Sequence, residues 1–67
     1  MELYYLYHIP EPKKKLYFIE MEGERAKFTE LRSNASIFNS RESAISMQEH
    51  LNIKYGLDLQ IEKRIND

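Results

Sequence analysis

The stretch from Phe38 to Leu57 constrains this chain most, because both ends of a helix are written into it. Ser40 has the side chain of an N-cap, whose hydroxyl can accept from a free backbone N–H of the first turn. Glu42 follows where a negative charge suits the helix dipole. Gly56 is placed to end the helix as a residue at positive φ. At 100° per residue, Met47, Gln48, Leu51 and Tyr55 fall within about 60° of Ala44, a narrow apolar stripe with one polar member. Ile45 flanks the stripe, while Glu49, His50, Asn52 and Lys54 point away. Ile53 falls on the far side of the wheel, where the pattern gives it no role. Such a helix, read as residues 40–55, needs a sheet to bury its stripe against.

The rest of the chain reads as strands. Met1 to Ile9 is rich in Tyr, Leu and Ile and has no capping signal. Pro10-Glu11-Pro12 should end that strand in a loop, since neither proline can donate to a ladder. Lys13-Lys14-Lys15 then begins a return strand through Met21. With Gly23-Glu24 as a two-residue turn, Glu22 faces Arg25, Met21 faces Ala26, Glu20 faces Lys27 and Ile19 faces Phe28. Opposite charges and apolar residues meet in that register, and a one-residue slip would separate Ile19 from Phe28. Tyr17, Ile19, Met21, Ala26 and Phe28 then form the core face, and in the first strand Leu3, Tyr5, Tyr7 and Ile9 look more like core than Tyr4 and Leu6. The opposite register of the first hairpin is also open; both choices leave aromatic residues on the outer face. Arg32-Ser33-Asn34 is a turn, after which Ala35, Ile37 and Phe38 should tuck under the helix start. Beyond Gly56, Leu57, Leu59, Ile61 and Ile65 alternate with Asp58, Gln60, Glu62 and Arg64, a half-buried strand over 57–65. The expected fold is α+β: an antiparallel three-stranded meander, one helix on one face, and a last strand rejoining the sheet beside the first.

At 67 residues the chain is expected to form one domain over 1–67, burying only about 60% of its unfolded surface. It has no Cys, so neither a disulfide framework nor a thiolate metal site is available. The N-terminal Met-Glu-Leu-Tyr-Tyr lacks the pattern of a signal peptide, and no run approaches the roughly 20 apolar residues of a membrane span. A cytoplasmic protein without membrane contact is the expectation. Ten basic and eleven acidic residues leave a net charge of −1, which does not suggest a polyanionic partner.

Catalytic and ligand chemistry find little support. His8 and His50 lack converging partners at metal or dyad spacing, and read as surface or satisfied histidines. Ser36, Ser40, Ser43 and Ser46 read as cap and helix surface, without a nucleophile turn. Gly23 stands alone, so no phosphate-cradling loop is expected. Glu20, Glu22 and Glu24 could gather a cation, but Arg25 and Lys27 make hairpin pairing the simpler reading. No catalytic residue, cofactor or metal is expected. Two surfaces stand out. Lys13, Lys14 and Lys15 beside Tyr7, Tyr17 and Phe18 form a basic and aromatic constellation on which single-stranded bases could stack. The simpler reading is a solvated edge that discourages strand pairing. Tyr4, Leu6, Leu16, Phe18 and Leu31 form the second, an outer apolar patch of the kind that marks association surfaces. Its occupant would be a protein partner or a second copy of the chain.

Tyr17-Phe18-Ile19-Glu20, the turn at Gly23, the run Ala35-Ser36-Ile37-Phe38-Asn39-Ser40-Arg41-Glu42-Ser43-Ala44 and the terminal amphipathic strand together resemble short accessory proteins encoded by phages and prophages. The resemblance spans most of residues 16–65 and its motif is structural, with Ala35, Phe38 and Ala44 as packing positions and Ser40 as a cap. It implies an accessory role, in some members inhibition of one host enzyme, including enzymes of antiviral defence. The expected function is a non-catalytic protein-binding module, with a small single-stranded nucleic-acid-binding protein as the alternative.

Overall fold

A computed structural model describes residues 2–65. β1 (Glu2–Glu11), β2 (Lys14–Glu22), β3 (Arg25–Thr29) and β4 (Gln60–Ile65) form a four-stranded antiparallel sheet in the order β3-β2-β1-β4. A 3₁₀ turn (Arg32–Asn34) and the helix α1 (Arg41–Tyr55) lie between β3 and β4. The α+β class is therefore as expected, and β4 lies beside β1 over six paired positions, from Glu2 opposite Ile65 to Tyr7 opposite Gln60.

The helix is built by its own end chemistry. Ser40 is extended (φ −139°, ψ 154°), and its hydroxyl accepts from the Ser43 amide at 3.2 Å. Gly56 sits at φ 72°, which a side chain rarely adopts, and its amide donates to the Asn52 carbonyl at 2.9 Å. Leu51 and Ala44 are buried, together with Tyr4, Leu6, Phe18 and Leu59. Gln48, the polar member of the stripe, donates from Nε2 to the Leu59 carbonyl at 2.6 Å and so tethers the helix to the segment leading into β4. That segment stays irregular, so β4 begins at Gln60 rather than at Leu57.

Three expectations about the strands are corrected. First, β1 runs through Pro10 to Glu11, past its expected end. The ladder with β2 is irregular between His8 and Glu11, so the missing donor of Pro10 interrupts nothing. The turn is Pro12-Lys13, between the pair Glu11 and Lys14, and it holds Lys13 at φ 73°.

Second, the register of the β2–β3 hairpin changes partway. Glu22, Met21 and Glu20 face Arg25, Ala26 and Lys27 as charge and hydropathy require, but Phe18, not Ile19, faces Phe28. Ile19 is the extra residue of a bulge, and every side chain beyond it changes face. Ser36 partners the bulge: its amide donates to the Phe18 carbonyl at 3.1 Å and its hydroxyl to the Ile19 carbonyl. Two residues on, Phe38 and Tyr4 exchange both backbone hydrogen bonds at 2.9 Å. The segment 36–38 thus wedges between β2 and the start of β1.

Third, Met21, Ala26 and Phe28 lie on the helix side as expected, but β1 and the part of β2 before Ile19 take the other of the two open registers, with their faces exchanged. Tyr4, Leu6 and Phe18 are buried beneath α1, and Leu16 shares their side of the sheet, half-buried. Tyr5, Tyr7 and Tyr17 stand on the opposite, outer face. The main core lies on the even-numbered side of β1, where Leu6 is fully buried.

Candidate functional site

One helix cannot cover this sheet. Four strands about 4.8 Å apart are wider than a helix about 10 Å across, and α1 lies mainly over β1 and β4. The helix-facing side of β2 and β3 is left partly open. Met21, Ala26 and Phe28 pack against the edge of the core there but remain half-buried. An apolar groove follows, with β2 on one side and α1 on the other, lined by Met21, Ile37, Phe38, Met47, His50 and Tyr55. Ile37 is 53% exposed on its rim, a consequence of the wedge that holds Ser36 and Phe38 inward and turns the residue between them outward. Over the same half of the sheet, the His8 ring packs against Phe28 at a tilt of 42° with centroids 4.4 Å apart, and His8 Nε2 is buried without a hydrogen-bond partner among the described residues.

The outer face is a compact polar and aromatic layer. Tyr5 and Tyr17 are only 7% and 6% exposed and meet edge to face at 5.9 Å. Glu62 stands opposite Tyr5 on β4 and organises the layer. Lys15 donates to its Oε1, and the Tyr17 hydroxyl lies 3.1 Å from both carboxylate oxygens. Arg32 Nη1 is 3.7 Å from Oε2. Burial pushes the Glu62 carboxyl up, but the hydrogen bonds from Lys15 and Tyr17 and the charges of Lys15 and Arg32 outweigh it, leaving the group below the ordinary carboxylate range. Lys15 is raised, chiefly by its hydrogen bond to Glu62, and its ammonium also lies 4.1 Å from the centre of the Tyr7 ring. At the other end of β1, Lys63 and Glu2 pair at 2.9 Å, which lowers Glu2 and raises Lys63.

The residues expected to form an outer apolar patch do not do so. Tyr4, Leu6 and Phe18 are core, Leu16 is half-buried on the helix side, and only Leu31 is well exposed, at 61%. Of the basic and aromatic set, Tyr7, Lys15 and Tyr17 do come together on the outer face, while Lys13 and Lys14 are exposed at the Pro12-Lys13 turn. Sequence reasoning missed Met21, Phe28 and Met47 as surface groups because they follow core periodicity, and missed Glu62 because its partners lie 45 and 47 residues away. Among the described residues, no group of three or more His, Cys, Asp or Glu is placed to hold a metal ion, and no helix is long and apolar enough to cross a membrane. No protein family, curated protein or solved structure matches the chain.

Proposed function

We propose that the chain is a small non-catalytic protein-binding module whose contact surface is the groove between α1 and the open half of the sheet. The single observation that carries this reading is the incomplete helix layer: Met21, Ala26 and Phe28 are core in character but covered on one side only. Two methionines line the groove, Met21 and Met47, and such side chains repack readily against a partner. The mode of action on this reading is occupancy, the binding and modulation of one host protein, as the resemblance to phage-type accessory proteins implies. The alternative, single-stranded nucleic-acid binding, has less behind it: Glu62 takes up the charge of Lys15, and the Tyr17 ring is too buried to stack on a base.

The test uses Ile37→Glu, which places a charge on the exposed rim of the groove, and Ile53→Glu on the far side of α1 as control, both checked by circular dichroism. Capture of a protein from a lysate of the encoding organism should be lost with the first and kept with the second. Capture that survives Ile37→Glu would sink the proposal. Sedimentation at several concentrations separates the competing use of the groove, a homodimer, in which Ile37→Glu would abolish self-association instead.

A further inference from the structure

A second feature lies on the opposite side of the sheet from the groove and is independent of it. Arg32, carried on the 3₁₀ turn, and Arg64, carried on β4, line one shallow hollow with Tyr5, Leu3 and Ile65. The strands set this arrangement: Arg64 stands opposite Leu3 and Glu62 opposite Tyr5, so Arg64 and Glu62 project from the same face of β4. The turn after β3 brings Arg32 to that face from the other side, as its 3.7 Å approach to Glu62 shows.

The charge there is unbalanced. Two cations, Lys15 and Arg32, meet a single carboxylate, Glu62, whose oxygens already accept from Lys15 and Tyr17, and Arg64 lines the same hollow as Arg32. At 3.7 Å the Arg32 guanidinium is beyond hydrogen-bond distance of Glu62, so its donors are not used up by that pair. Among the described residues, no carboxylate lies within ion-pair distance of Arg64. Elsewhere on the sheet the ion pairs are one to one, Lys27 with Glu22 at 3.4 Å and Lys63 with Glu2 at 2.9 Å. Among the described residues that line it, the hollow thus carries two cations, Arg32 and Arg64, and no carboxylate, in a chain whose net charge is −1. Its floor, Tyr5, is fixed by packing against Tyr17.

We propose that this hollow is an anion site that takes a dianionic phosphate group, free or as a monoester. Two guanidinium forks present several N–H donors to the oxygens of a tetrahedral anion, and two positive charges match its two negative ones. A carboxylate, with one charge and two oxygens, uses only half of that capacity.

The experiment is an NMR titration at constant ionic strength, following the Tyr5, Arg64 and Ile65 amides and the arginine Nε–H groups. The probes are inorganic phosphate, phenyl phosphate, acetate and a single-stranded oligonucleotide. Saturable shifts confined to the hollow are expected with both phosphates and weaker ones with acetate, and the ratio of the two phosphate affinities tells a free ion from an ester. Arg32→Gln and Arg64→Gln should each weaken phosphate binding about tenfold, and Arg64→Lys, which keeps the charge but loses the fork, should fall between. Lys27→Gln should leave it unchanged. Shifts that rise without saturation, affinity retained in both glutamine variants, or a single-stranded oligonucleotide binding more tightly than phenyl phosphate would each overturn the proposal.

Discussion

Glu62 and Lys15 stand 47 residues apart in the chain and meet as an ion pair on the outer face, where the Tyr17 hydroxyl shares the same carboxylate. The pair therefore ties β4 to β2 across β1, which separates them in the sheet. Its geometry also explains why the most basic stretch of the chain does not present its full charge to solvent.

The pair makes stability depend on pH in a defined way. Glu62 is held below its ordinary value, so its contribution is present above the unfolded carboxylate pKa and lost as pH falls through the folded one. Lys15 is held above its ordinary value, so its contribution is present below the unfolded lysine pKa and lost as pH rises through the folded one. Between the two ranges these groups add no slope. Glu62→Gln should cost about 1–2 kcal/mol at neutral pH, discounted because Lys15 is partly solvated, and should flatten the acid limb. Urea denaturation from pH 3 to 8 measures both; an unchanged acid limb in the variant would contradict the assignment.

Ser36 holds the bulge at Ile19 through two hydrogen bonds, so its hydroxyl matters more than an exposed serine would. Ser36→Ala leaves the Ile19 carbonyl without its side-chain partner and should cost about 1–2 kcal/mol. The loss should be local first. Hydrogen exchange of the Ser36, Phe38 and Tyr4 amides, which bond across the wedge, is expected to accelerate before that of the β1–β4 ladder. Uniform acceleration across the sheet would show that the wedge is not a separate unit.

The same serine explains how far the fold was legible from residues alone. The helix ends and the pairs nearest Gly23 depend on neighbours within a few positions, so Ser40, Gly56 and the facing of Glu22 with Arg25 follow directly from local chemistry. The facing of Ile19 with Phe28 does not, because the residue that bonds to the bulge comes 17 positions later. One unpaired residue exchanges the faces of everything beyond it. In β1 hydropathy could not correct the error, since Leu3, Tyr5 and Tyr7 are as apolar as Tyr4 and Leu6. The candidate surface inherited that ambiguity: Tyr4, expected in the outer patch, is core, the outer face carries Tyr5, Tyr7 and Tyr17, and the open groove arises from how few strands one helix spans, a property of topology rather than of any local pattern.

The turn between β1 and β2 carries removable strain. Proline at its first central position suits the fixed φ of that residue, but Lys13 at the second is held at φ 73°, where a Cβ is disfavoured. Lys13→Gly should stabilise the chain by about 0.5–1 kcal/mol, the relief of the left-handed conformation less the entropy glycine gains when unfolded. Thermal denaturation at fixed pH is the measurement. A drop in stability would mean that the lysine side chain contributes more than its backbone costs.

His8 offers the last prediction, and it bears on the open half of the sheet. Its ring lies on Phe28, and its Nε2 is buried with no partner among the described residues, so the polar atom costs about 1–3 kcal/mol relative to a satisfied one. His8→Phe keeps a ring against Phe28 while removing that atom, and should stabilise the free chain by about 1 kcal/mol in urea denaturation. His8→Ala should do the reverse, because it exposes Phe28 on an already half-covered surface. If His8→Phe is destabilising, the nitrogen has a partner in solution, and a water or a neighbouring group must be supplying it on the helix-facing side of β2 and β3.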